Sequence, residues 1–493
     1  MDRQGVRRVV IAGGGTAGWT VAAAMARNMG RLLDIVLIES DEIGTVGVGE
    51  STIPTARTFH SIAGVDEQAF VAATKASFKL GILFEGWGRV GERYFHSFGT
   101  TGRGNWLADF HHVWLHAQRL GLAEPFGNYC LEHRAALAGR FQGGKDTPLN
   151  YAYHLDATAY GRFLRTHAEK MGVVRREGKI ARVRLRAGDG FIEAIELEGG
   201  EAIEGDLFID CTGFRGLLIE EALEAGFEDW THWLPTDRAL AVQTEHVGAP
   251  PPYTQASAHQ AGWRWRIPLQ DRVGNGLVYC SEYMSDDEAH ALAKERIEGR
   301  FLIEPRVIRF RTGMRRKAWH RNCVAIGLTG GFVEPLESTS IHLIMIAAIR
   351  LMQFFPFEGI SPAMVERYNE VSRRELEHIR DFIILHYHLN RREEPFWRRM
   401  AAMDIPDTLR ERLALFRERG EAYQDQDELF RIDSWVQVMM GQGLMPETEH
   451  PFARMIPNDK LKSSLESMAA NIGGAVDRLP AHADFIRAYA AAG

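Results

Sequence analysis

Hydrophobic and polar positions follow two rhythms along the 493-residue chain. The first belongs to strands and short covering helices. "RRVVIAGGGTAGWTVAAAMARNM" passes from an apolar strand through a glycine turn into an alanine-rich helix, and "LDIVLIES" adds a second strand ending in Glu39. A helix is predicted over about 157–171. Residues 174–211 read as three strands joined by glycine turns, then "GDLFIDCTGFRG", a strand entering a glycine turn at Gly213. "AGWRWRIPL" (261–269) has a period of two, which puts Trp263 and Trp265 on one side of a strand; two large rings there fit a packed core. "RNCVAIGLTGGFVEPLESTS" (321–340) gives a further buried strand, a glycine loop and a helix start. From about residue 351 helical spacing takes over, as in "SPAMVERYNEVSRRELEHIRDFIILHYHL" and "PDTLRERLALFRERGEA", and the charge-rich faces of these helices read as solvated surface.

Composition narrows the class. With 45% apolar and 25% charged residues the chain is globular, and its length allows two or three intimately joined domains. A net charge of −7 leaves no basic surplus for nucleic acid. Cys130, Cys211, Cys280 and Cys323 form no C-x-x-C pair, which argues against a disulfide framework and a zinc site and fits a reducing cytoplasm. The N-terminus shows no signal-peptide pattern, and the apolar run "IHLIMIAAI" (341–349) is too short to span a bilayer.

Gly13, Gly15 and Gly18 form G-x-G-x-x-G between a strand and a helix, with Thr16 and Ala17 opening that helix and Glu39 about twenty residues on. Each part has a physical reason to be there. Glycines admit a pyrophosphate to the backbone, the helix N-terminus attracts its charge, and the carboxylate holds ribose hydroxyls. The inserted strands and the T-G turn at Gly213 resemble the FAD domain of glutathione-reductase-type flavoproteins, so FAD is the expected dinucleotide. The expected fold is α/β: an FAD-binding Rossmann-like module with a β-sheet substrate region over 1–350, then a helical subdomain over 351–493 covering the substrate pocket. No second glycine fingerprint offers a nicotinamide site; electrons must come from outside.

Taken in order, "GGGTAGW", "VGVGESTIP" (46–54), "SFKLGILFEGW" (77–87), "GWRWRIP" and "EPLEST" (334–339) resemble the flavin-dependent tryptophan halogenase family over nearly the whole chain. The resemblance implies a two-component enzyme. FADH2 from a separate NAD(P)H-dependent reductase, with dioxygen and chloride or bromide, gives hypohalous acid for an aromatic substrate; a homodimer is compatible with it. Lys79 matches the essential lysine that delivers the halogen, and Glu337 the second essential residue, which polarises the oxidant, stabilises the arenium cation and assists proton removal. Thr339 and Ser340 fall at the halide site, where the family usually has glycine after the threonine. Gly49 and Glu50 belong to a strap near the flavin. Trp263 and Trp265 fall in the wall between flavin and substrate, and His96 and Phe98 match rings that sandwich an indole.

One end of the pocket departs from the family. Members that take free tryptophan hold its charged groups with a Tyr-Tyr pair and a Glu ahead of a glycine-rich turn. Here the turn survives as "GQGLMP" (441–446), but residues 417–435 carry no Tyr-Tyr, and Phe430 stands near the place of a sandwiching tryptophan. Burying an amino acid's two charges without partners is costly, so indole or a similar neutral arene is the expected substrate. A flavin hydroxylase is the alternative enzyme and a flavin-binding redox carrier the non-catalytic one; neither needs a lysine and a carboxylate beside an anion site.

Overall fold

Val9, Val10, Ile11 and Ala12 are fully buried, and a strand apolar on both faces belongs inside a sheet covered on both sides. The computed structural model, which describes residues 5–44, 49–104 and 107–491, places it there. The six-stranded sheet runs in the order Trp319–His320, Cys323–Ala325, Leu207–Asp210, Arg8–Ala12, Asp34–Glu39, Val174–Glu177, and is parallel except for the first pair. Val9, Ile11 and Leu37 share a core with the helices Thr16–Met29 and Ser340–Gln353. The alternate residues Val10, Ala12 and Ile38 pack toward Ile192, Ile195 and Leu197 of a small antiparallel sheet. The Rossmann-like module expected from the glycine fingerprint is therefore present.

Two sequence expectations need correction. Between 174 and 206 the chain makes four strands, Val174–Glu177, Ile180–Leu185, Ile192–Leu197 and Ala202–Glu204, not three. The first two are separated only by Gly178 and Lys179, so their polar patterns run together. Gly178, at φ +153°, turns the chain from the parallel sheet into the antiparallel one. The second correction concerns the long helix Pro362–His388, whose charged residues are not all solvated. Glu375, Arg380 and Asp381 are buried, Glu375 on Arg350 Nη2 at 2.7 Å and Arg380 on its neighbour Asp381.

The substrate-side sheet has seven strands in the order Arg306–Arg309, Arg238–Thr244, Val273–Tyr279, Gly262–Pro268, Thr254–His259, Gly81–Glu85, Arg93–Ser97. Trp263 and Trp265 lie on one face of Gly262–Pro268, ring centroids 6.1 Å apart, as period two requires. Trp265 pairs across the ladder with Gly276, and any side chain at 276 would occupy the volume of its indole. Both tryptophans join a core with Phe382, Ile383, Trp397 and Trp435 of the C-terminal helices. A third small sheet, Gly49–Ser51, Ala152–Asp156 and Ser77–Lys79, links the strap to the lysine strand. Residues 46–48 of the strap motif lie outside the described residues.

Candidate active site

Ser77–Lys79 is a short strand buried throughout, and its pairing with Ala152–Asp156 turns the Lys79 side chain fully inside. Lys79 Nζ donates to Ser338 Oγ at 2.8 Å and to the Thr52 carbonyl at 3.3 Å, and lies 5.1 Å from the centre of the Phe98 ring. Burial lowers its pKa to about 7 against an opposing pull from Glu337. Ser338 holds the left-handed conformation, φ +61°, which is uncommon for a residue with a side chain and here ends the turn Pro335–Glu337.

Glu337, on that turn, accepts from His96 Nδ1 at 2.8 Å, and His386 Nε2 touches its other oxygen at 2.8 Å without the alignment of a hydrogen bond. Burial by itself would raise this carboxyl; the two imidazoles outweigh it and hold the pKa at about 2. His386 in turn meets Tyr94 OH at 2.7 Å. Phe382 and Phe430 stack at 3.7 Å, with the His96 ring 5.5 and 6.1 Å from them. Phe98 packs with Ile53, Ala152 and Leu429 on the lysine side.

Thr339 is fully buried, its hydroxyl has no partner among the described residues, and it stands as the N-cap of the 14-residue helix Ser340–Gln353 without making a cap hydrogen bond. An unpaired hydroxyl beside free helix amides suits a small anion. Trp263 Nε1 donates to Glu334 at 3.1 Å, and the same carboxylate accepts from Tyr387 OH at 2.7 Å and Thr236 Oγ1 at 2.6 Å. Burial lifts Glu334 to about 7, partly offset by these donors.

Sequence reasoning thus brought Lys79, Glu337, Thr339, His96, Phe98 and Phe430 into one neighbourhood, with Trp263 joined to it through Glu334. It missed His386, Tyr94, Phe382 and Glu334. The "HYH" of the long helix was the one available signal for His386, and only the partner across the sheet makes it meaningful.

The dinucleotide fingerprint forms a cradle. Gly13 sits at φ +106°, where a side chain would collide with the Cys211 carbonyl; Gly18 likewise meets the Gly13 carbonyl. The space in front of Gly15 is open, and the helix Thr16–Met29 lacks a side-chain cap, so its first amides face outward. Ala17 packs against the glycine loop at Gly327, while Thr16 Oγ1 bonds the Ala157 carbonyl at 3.3 Å. Glu39 lies against Gly14 and accepts from Trp19 Nε1 at 3.1 Å. These residues fit FAD: pyrophosphate over Gly13–Thr16 and ribose toward Glu39. Gly49 lies against the Gly274 backbone, and the neighbouring Glu50 carboxyl, although its residue keeps some exposed surface, is raised to about 7 by burial and then by Asp156. Thr55 Oγ1, past the strap, meets His342 Nδ1 of the halide helix at 2.9 Å.

Among the described residues no helix is long and apolar enough to cross a membrane, and no group of three His, Cys, Asp or Glu could hold a metal ion.

The tryptophan halogenase family model matches residues 8–458. The tryptophan 7-halogenase RebH of Lentzea aerocolonigenes is 33% identical over 98% of each chain. Among solved structures, Xcc4156, a flavin-dependent halogenase from Xanthomonas campestris, superposes with a TM-score of 0.97 at 52% identity over 99% of each chain. BrvH, a flavin-dependent halogenase from Brevundimonas sp. BAL3, gives 0.94 at 44% identity, covering 98% of this chain and 99% of its own.

Proposed function

The chain belongs to the tryptophan halogenase family of flavin-dependent enzymes, and from that premise we propose that it halogenates a neutral, indole-like arene, with Lys79 delivering the halogen. The observation that carries this reading is the buried Lys79 ammonium, held on Ser338 next to the Glu337 carboxylate and the unpartnered Thr339 hydroxyl. Reduced FAD, supplied by a separate flavin reductase, provides with dioxygen and halide the hypohalous acid. Thr339 and Ser340 hold the halide at the helix N-terminus. Lys79 uses the N–H not engaged by Ser338 and Thr52 to protonate the oxygen as its bond to halogen breaks. Glu337, ionised and buried, stabilises the positive charge that develops on the arene. Trp263, fixed by Glu334, forms part of the wall that keeps arene and flavin apart. The helices after residue 351 close the pocket with Phe382, His386 and Phe430. The four cysteines are unpaired, which suits a cytoplasmic location.

The preference for a neutral arene rests on the 417–435 segment, whose charges near the pocket are already engaged by the chain. Glu428 is bonded by Arg412 and Trp435, Arg431 donates to the Phe98 carbonyl, and Asp433 accepts from the Thr101 amide. Each unpaired buried polar group costs about 1–3 kcal/mol, so kcat/KM for indole is expected to exceed that for free L-tryptophan by several-fold or more. Steady-state kinetics with the same halide and reductase measure it, and tryptophan as the better substrate would place an unrecognised clamp in the pocket. The assay for the reaction itself combines reductase, NADH, FAD, bromide and indole, with products read by mass. Bromoindole supports halogenation; hydroxyindole formed without regard to halide would support a hydroxylase.

A pH dependence follows from the lysine. Its pKa near 7 is set by burial and opposed by Glu337, with His154 a further titratable neighbour. If the ammonium is the working form, kcat falls as pH rises through about 7. A rate that instead rises across that range would assign the transfer to the neutral amine.

A further inference from the structure

The proton that leaves the arene after halogen transfer needs an acceptor, and Glu337 is badly placed to be one. Its two oxygens face His96 Nδ1 and His386 Nε2, each at 2.8 Å, and a carboxylate has no hydrogen to offer them. Each facing nitrogen must therefore carry its own hydrogen. For His386 the assignment closes from the other side, where Nδ1 lies 2.7 Å from Tyr94 OH. Burial followed by the Glu337 charge raises Tyr94 well above its ordinary pKa, so the phenol keeps its proton and donates it to Nδ1. For His96, a hydrogen on Nδ1 leaves Nε2 as a lone pair. That nitrogen has no hydrogen-bond partner among the described residues, on a ring 2% exposed and beside Phe382 and Phe430.

We infer that His96 Nε2 accepts the ring proton of the arene, with Glu337, His386 and Tyr94 acting as positioning residues that fix its tautomer. The inference rests on the arene-halogenation reading above. As the oxygen–halogen bond breaks, the oxygen leaves as water with the Lys79 proton, and the arene π electrons form the carbon–halogen bond. The C–H bond at the same carbon then breaks, its electron pair restores the aromatic system, and the proton passes to Nε2. The imidazolium so formed is paired with Glu337 across the existing contact. It loses its proton to water, and Lys79 regains one from water, which closes the cycle. The arrangement follows the logic by which a buried carboxylate orients an imidazole base.

His96→Gln keeps an N–H for Glu337 and removes the basic nitrogen. With indole and ring-deuterated indole compared in the bromination assay, this variant is expected to turn over about 10²–10⁴-fold more slowly and to show a primary isotope effect absent from the wild type, while calorimetric binding of indole stays within a few-fold. His96→Ala gives a second readout: added imidazole restores product, whereas pyrazole, a ring of the same size and far weaker basicity, does not. A His96→Gln rate loss matched by lost indole binding and free of an isotope effect would overturn the proposal, as would equal rescue by both azoles. Failure of the wild type to make any bromoindole would overturn the halogenation reading and this proposal with it.

Discussion

Lys79→Ala is expected to lower haloindole formation by about 10³-fold or more, the range for removing a group that acts as both proton donor and electrostatic stabiliser. The fold should tolerate the change. The side chain gives up two hydrogen bonds, to Ser338 and Thr52, but its removal also relieves a buried cation whose pKa is depressed to about 7. The glycine cradle lies on other elements, so FAD binding and consumption of oxygen from supplied FADH2 should persist. Mass analysis of product, oxygen uptake and thermal melting separate these effects. Product at the wild-type rate from a well-folded variant would remove Lys79 from the reaction.

Glu334→Ala is expected to be the most destabilising single change near the site. The carboxylate is fully buried and receives Trp263, Tyr387 and Thr236; truncation strands three donors. At about 1–3 kcal/mol for each stranded group, and with partial rescue by an entering water, a loss of roughly 3–6 kcal/mol follows. That is a large share of the usual 5–15 kcal/mol of folding stability. Glu334→Gln, which keeps one carbonyl oxygen as acceptor, should cost clearly less. Urea unfolding measures both, and a Glu334→Ala loss below about 1 kcal/mol, no more than one ordinary hydrogen bond, would show that the carboxylate is not the anchor of this cluster.

Much of the FAD module was legible because its signals are local. A strand, a glycine turn and a helix lie within 29 residues at the start of the chain, and Gly13 must be glycine for reasons visible in its own turn. Lys79, Glu337 and Thr339 were also legible, through motifs rather than periodicity. What sequence could not show were pairings made across the fold. His386 reads as one more residue on a long helix until Tyr94, 292 positions earlier, and Glu337 come to either side of it. The charges of the same helix were misread for a related reason. Amphipathic logic sends Glu375 to solvent, whereas Arg350 and His342 of the halide helix meet it inside. The four strands after residue 173 were undercounted because a two-residue turn between polar strands leaves no gap in the pattern.

The facing of Trp265 on Gly276 bears on how this enzyme can be redesigned. The indole fits only because the opposite position has no side chain, and its neighbour Trp263 is tethered through Glu334 to the long helix. Any library that varies this wall one residue at a time will mostly return unfolded protein, since each change there demands a matched change on another element. Phe430 stands differently: it rests by simple stacking on Phe382, in a stretch whose ionic groups are satisfied elsewhere. Diversity aimed at a wider range of arenes therefore belongs at Phe430 and its flanks, with the tryptophan wall left as the inherited frame.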